Sequence, residues 1–250
     1  MPPGLDPLWL VLAGFGAGLT GSVAGLASLV SYPALLSIGL SPVSANVSNT
    51  VALVFSAVGS VWGSRPELAG QRQRARALGV VAMGGGAAGG AALLATPSST
   101  FALVVPWLIG VASVAILAQR EVVQGPPRHR LPPWAVQASV LAVAVYCGYF
   151  GAAAGVLLLA LLLVVTGEPL ARSNALKNLL LGSANAVAAV GFAAFGPVHW
   201  GAALPLAAGF LGGGRLGPVV VRRAPVRPLR VLIALAGLGL AVHLGLDAYR

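Results

Sequence analysis

Residues 134–166 read WAVQASVLAVAVYCGYFGAAAGVLLLALLLVVT, a run of 33 positions without an Asp, Glu, Lys or Arg. As one helix this run would be about 50 Å long, whereas the hydrocarbon core of a bilayer is about 30 Å thick. It is too long for one crossing and too short for two. Gly148, Gly151 and Gly155 stand at its middle, where the lack of a Cβ lets a helix break and the chain turn back. The run therefore predicts a hairpin of two short helices that enters and leaves the membrane on one side.

The charges around it demand the same. Basic residues lie between Arg120 and Arg130, just before the run. Short connections rich in Lys and Arg are cytoplasmic by the positive-inside rule. The 196–199 connection has neither residue and belongs outside. The apolar block at 170–195 then runs from inside to outside, so the 134–166 block must begin and end inside. The block at 8–40, with glycines at 14, 16, 18, 21 and 25, is expected to form the same hairpin from outside. Backbone broken at membrane depth is tolerated only where protein or a polar cavity encloses it.

Composition agrees with a membrane protein throughout. Of 250 residues, 58% are hydrophobic and 8% charged, with a mean hydropathy of +0.91. A soluble domain carries about 25% charged residues. The net charge of +10 gathers in the 65–76, 119–131 and 215–230 connections. That placement fits attraction to anionic lipid headgroups rather than to nucleic acid. Cys147 is the only cysteine, so no disulfide or Cys/His metal cluster is available, and neither metal nor cofactor is expected. The N-terminus lacks the basic opening of a cleaved signal peptide, so the first apolar run is expected to be retained.

The chain repeats itself at a separation of 128 residues. Asn46 matches Asn174, Thr50 matches Asn178, Gly84 to Gly86 match Gly212 to Gly214, Gly89 matches Gly217 and Pro97 matches Pro225. With a two-residue offset, Gly18, Gly21 and Gly25 match Gly148, Gly151 and Gly155. The expected architecture is an all-α polytopic membrane protein of two inverted repeats, 1–125 and 126–250. The first holds the hairpin 8–40 and helices 43–64, 77–95 and 100–118. The second holds the hairpin 134–166 and helices 170–195, 200–220 and 229–246, giving about eight long apolar blocks. The three basic connections go to the cytoplasm, and both termini to the outside of the plasma (inner) membrane.

Paired interruptions in two halves are the best sequence pointer to a transporter's binding site. The helix after each hairpin carries polar residues at one spacing: Asn46, Asn49 and Thr50 in the first half, Asn174, Lys177 and Asn178 in the second. Separations of three and four place each trio on one helical face. Neutral donors together with one buried ammonium suit an anionic solute, and an ionisable residue inside a span is a functional candidate by default. Thr20, Ser22 and Tyr149, at the hairpin tips, are candidate further contacts. Polar side chains that only bond neighbouring helices are the plain alternative. The glycine clusters at 84–90 and 212–217 suit close helix packing. The five carboxylates, Asp6, Glu67, Glu121, Glu168 and Asp247, lie outside the spans, and Glu168 is expected to pair with Arg172 at the surface.

Several stretches resemble the sulfite exporter TauE/SafE family, also called the 4-toluene sulfonate uptake permeases. They are Gly14-Phe-Gly-Ala-Gly-Leu-Thr-Gly-Ser-Val-Ala-Gly25, Tyr32-Pro33-Ala34-Leu35-Leu36, Ser41-Pro42 and Ala45-Asn46-Val47-Ser48-Asn49-Thr50. In the second half they are Gly167-Glu-Pro-Leu-Ala-Arg-Ser-Asn-Ala-Leu-Lys-Asn178, Gly196-Pro-Val-His-Trp200 and Gly212-Gly-Gly-Arg-Leu-Gly217. The resemblance covers nearly the whole chain. It implies a plasma-membrane permease, not an enzyme, that moves sulfite, sulfonates or similar anions. The two halves are expected to rock around a midplane site by alternating access. A passive channel for a small solute is the alternative. A membrane enzyme acting on lipid phosphates is a more distant one, since no hairpin carries a Glu, Ser and Arg set.

Overall fold

Glycine and proline decide where this chain's helices stop and start. The computed structural model describes residues 6–118, 131–223 and 227–249. α1 (Asp6–Ala24) and α2 (Ala27–Ser37) meet at Gly25, whose φ of +77° turns the chain into the left-handed region that favours glycine. α3 (Pro42–Gly63) starts with Pro42 at its first position and Ser41 as its cap, the Ser41 hydroxyl accepting from the Ser44 N–H at 3.4 Å. α4 (Arg65–Leu68) is one turn, followed by α5 (Arg72–Ala95) and α6 (Ser98–Ala118). α7 (Pro133–Tyr149) and α8 (Ala154–Thr166) are separated by a second break, where Gly151 and Ala153 both take positive φ. α9 (Leu170–Phe195), α10 (Trp200–Arg223) and α11 (Arg227–Ala248) complete the chain.

A helix break falls inside each of the two blocks expected to form hairpins, at Gly25 and at residues 150–153. Seven of the described helices, α1, α3, α5, α6, α9, α10 and α11, are long and apolar enough to cross a membrane. α2 and α8 have 11 and 13 residues, about 16–20 Å of helix, and reach only part of the way across. Large apolar side chains such as Val80, Trp107, Val190 and Phe195 face outward, as a surface solvated by lipid requires. The protein is thus an all-helical polytopic membrane protein.

The basic segments differ from the expectation. Residues 215–223 are not a loop, because α10 continues helical through Arg223, and α5 already begins at Arg72 within the 65–76 stretch. Arginine is a good helix former, and its long stem lets the guanidinium reach the interface from inside a helix. Charge here does not mark where the helix ends. Residues 119–130, which include the expected boundary between halves, lie outside the described residues.

Glycine decides which helices touch. α1 lies on α10, where the carbonyls of Val11 and Phe15 press against Gly209 and Gly213. α7 lies on α5 in the same manner, with the carbonyls of Leu141 and Val145 against Gly85 and Gly89. α10 also meets α3 through Gly59, Gly63 and Gly214, and α5 meets α9 through Gly86 and Gly90. A side chain at any of these glycines except Gly90, where the nearest atoms lie 3.3 Å away, would displace its neighbours. Two close-packed trios result, α1–α3–α10 and α5–α7–α9. They meet along α3 and α9, where Ala57 faces Gly182, and at the hairpin breaks, where Gly25 faces Gly155. α6 and α11 pack against each other.

Candidate functional site

A broken helix leaves carbonyls bare at one end and N–H groups bare at the other, with about half a negative and half a positive charge respectively. Two such breaks meet in this protein, and side chains treat their two kinds of end differently.

The carbonyl ends are capped from α3 and α9. At the end of α1, Asn174 donates through Nδ2 to the Ser22 carbonyl at 2.8 Å, and Asn178 to the same oxygen at 3.2 Å. Lys177 donates through Nζ to the carbonyls of Gly21 at 3.2 Å and Ser22 at 3.4 Å. At the end of α7, Asn46 donates to the Tyr149 carbonyl at 2.9 Å, and the Tyr146 hydroxyl to the Ala152 carbonyl at 2.7 Å. Asn49 turns to α2 instead, donating to Ser28 Oγ at 3.2 Å and accepting from Ser31 Oγ at 2.6 Å. Thr50 bonds back to the Asn46 carbonyl of its own helix at 3.0 Å.

The starts of α2 and α8 border the space between the breaks, with the Ala154 N–H taken by the Gly151 carbonyl at 3.1 Å and the Leu29 N–H by the Leu26 carbonyl at 3.2 Å. α2 begins at Ala27 and Ser28, α8 at Ala154 and Gly155, and these residues line a cavity of about 60 Å³ between the breaks, α3 and α9. At about 15 Å³ per water, the cavity holds roughly four waters or one small oxyanion. Its polar wall comes from Ser22, Ser28, Ser56, Ser60, Asn178 and Asn185, with the Cys147 thiol donating to Asn185 Oδ1 at 3.3 Å. Phe150, Leu53 and Leu181 make the apolar part.

The residues expected from the sequence divide accordingly. Asn178 and Ser22 line the cavity. Asn46, Asn49, Thr50, Asn174 and Lys177 are buried; all but Thr50, which bonds within α3, hold the hairpins by the bonds above. Thr20 donates to the Ala17 carbonyl of its own helix at 3.1 Å, and Tyr149 contributes its carbonyl while its ring packs on Phe101 at 5.9 Å. Ser56, Ser60, Asn185 and Cys147 were not among the sequence candidates. The signal was present: Ser56 lies seven residues beyond Asn49 and Asn185 seven beyond Asn178, two turns further along the same helical face.

A network of ion pairs closes the end of the molecule that bears the arginines. Arg172 donates to Glu168 at 2.7 Å, as expected, and also to the Ala69 carbonyl at 3.1 Å. Arg74 approaches Glu168 at 3.7 Å, and Arg222 pairs with Glu67. Gln71 donates to the Arg172 carbonyl at 3.2 Å. At the other end Ser44 donates to the Pro197 carbonyl, and the His199 N–H to Ser48 Oγ, both at 2.8 Å.

The family model for the sulfite exporter TauE/SafE proteins matches residues 10–244, from the first turn of α1 to the last of α11. The chain belongs to the TauE/SafE family. No curated protein and no solved structure matches it. TauE/SafE is a transporter family, and the ten apolar helices α1–α3 and α5–α11 supply the multi-pass body that such a permease needs.

Proposed function

We propose that this TauE/SafE protein is a plasma-membrane permease for a small anion, sulfite-like in size and charge, with membrane lipid as a further partner. The carrying observation is the pairing of two half-helix N-termini, α2 and α8, on one small cavity while the opposite helix ends are capped by donor side chains. Helix N-termini attract anions through their N–H groups and dipoles. The Ser22, Ser28 and Ser56 hydroxyls and the Asn185 amide can donate to oxyanion oxygens. A cation would meet the wrong end of both helices.

We read the chain as an inverted repeat, and that reading supports alternating access. The Ser44 bond to the Pro197 carbonyl and the Arg172 bond to the Ala69 carbonyl join positions that each differ by 128 residues, yet lie at opposite ends of the molecule. Gly25 and Gly155, matched in sequence, face each other, as residues beside a two-fold axis do. The arginine-bearing end belongs in the cytoplasm, which sets both termini outside. The packing favours one revision of the mechanism. The bodies that move are the two glycine-packed trios, each drawing helices from both sequence halves, and the cavity lies between them.

The test is flux of radiolabelled sulfite, thiosulfate and sulfoacetate through proteoliposomes, wild type beside Ser60→Leu. Ser60 lines the cavity, and leucine there fills it. Saturable flux of one anion that is lost in the variant supports the proposal. Equal flux through both proteins removes the cavity from the path.

A further inference from the structure

We infer that Lys177, with Asn174, is a positioning group: it holds the broken end of α1 and so aims the N-terminus of α2 at the cavity, instead of meeting the anion itself. The inference rests on the permease reading and concerns how that site is assembled.

The α1 helix ends at Ala24, a fully buried residue inside the helix bundle. In water its last carbonyls would be solvated, but in an apolar interior each unsatisfied group costs several kcal/mol. The chain itself supplies two partners, the Gly25 N–H to the Gly21 carbonyl at 2.8 Å and the Leu26 N–H to the Thr20 carbonyl at 3.5 Å. Everything further comes from α9, and Lys177 and Asn174 bring an ammonium and an amide onto the carbonyls of Gly21 and Ser22. A cation at a helix C-terminus also meets the negative end of the dipole. Asn178 both joins this cap and lines the cavity.

Burial separates the two readings of the lysine. Lys177 is 0% exposed and is not among the residues that line the cavity, whereas Asn178 and Ser28 line it and keep 7% and 6%. Its ammonium shows no surface to the cavity, so an anion there meets Lys177 only through the backbone that Lys177 holds. The matched position in the first half, Asn49, carries no charge and turns toward α2. The α7 end is capped by neutral donors alone. A lysine required to offset the anion's charge would be wanted at the cavity wall. One required to cap α1 is wanted where this one stands.

The experiment uses full-length Lys177→Met and Lys177→Gln. Without any anion present, the Met variant is expected to melt roughly 4–10 °C below wild type. A lysine kept only to meet the anion would behave oppositely, since removing an unneeded buried charge leaves the empty protein as stable or more so. Cys147 lines the same cavity, and its labelling by N-ethylmaleimide is expected to rise about tenfold in the Met variant as the α1 break loosens. The Gln variant, which keeps a donor, is expected to recover part of both losses. Its sulfite flux in proteoliposomes should show a lower maximal rate, with KM within about twofold of wild type. If the Met variant does not fold, the Gln variant carries the same measurements. An unchanged or raised melting point with unchanged labelling overturns the inference, as does a raised KM at full maximal rate. The melting and labelling arms need no transported anion. A wild type that moves none of sulfite, thiosulfate and sulfoacetate would therefore count against the permease reading and leave this one standing on its own results.

Discussion

Replacing Gly25 with alanine tests the meeting of the two hairpins, and its effect can be worked out from the backbone. Gly25 has a φ of +77°, and a Cβ there would lie 2.5 Å from both the Cα and the carbonyl carbon of Gly155 and 2.7 Å from the Val156 nitrogen. Left-handed backbone costs an alanine about 1–2 kcal/mol. The overlap is with main chain that cannot rotate aside, so overpacking adds about 1–3 kcal/mol. Gly39 is the control, because its φ is +88° and nothing lies within 4 Å of its would-be Cβ. Gly39→Ala should therefore show the first cost alone. The entropy change of the unfolded chain is common to both variants and cancels. Tryptophan fluorescence during thermal unfolding of the purified proteins should place Gly25→Ala roughly 2–10 °C below Gly39→Ala. Sulfite flux should fail in the first and survive in the second. Equal melting points for the two variants would refute the close approach of the hairpins.

Two further outcomes bear on the architecture. In a Cys147→Ala background, so that no other thiol reacts, a methylene linker alkylating both Gly90→Cys and Ala188→Cys joins α5 to α9 inside one trio, where the added Cβ would sit 3.3 Å from Ala188. Sulfite does not cleave thioethers, so flux can be measured directly and should persist; its loss would mean that the trio flexes during transport. Reporter tags at the N- and C-termini should both read as extracytoplasmic, and a cytoplasmic N-terminus would overturn the orientation of α1 and α2.

The hairpins were legible because length, charge and glycine all constrained them at once. The 134–166 block could not be one helix, and its break falls at residues 150–153, inside the interval bounded by Gly148 and Gly155. The polar faces of α3 and α9 were legible for a similar reason, since Asn and Lys are costly in apolar helices. Their division of labour was not. An amide aimed at a backbone carbonyl and one aimed at a solute have the same sequence, and only the fold shows that Asn174 reaches Ser22 while Asn178 also reaches the cavity. Ser56 and Ser60 escaped notice because a hydroxyl in a transmembrane helix can satisfy itself on its own backbone. The glycine clusters announced close packing but not a partner. That α1 would lie on α10, some 190 residues away, is a property of three-dimensional shape alone.

The central claim is that a small anion passes through the cavity between the two hairpin breaks, and the single native thiol tests it most directly. Cys147 lines that cavity and is the only cysteine, so N-ethylmaleimide reports on one place in the unmodified protein. Sulfite itself consumes maleimide, so methanesulfonate and sulfate serve as inert protecting anions. The account predicts that one or both slow the labelling of Cys147 in a saturable manner at constant ionic strength, and that fully labelled protein no longer moves sulfite. Labelling at the same rate under every anion, with full flux after complete modification, would contradict it.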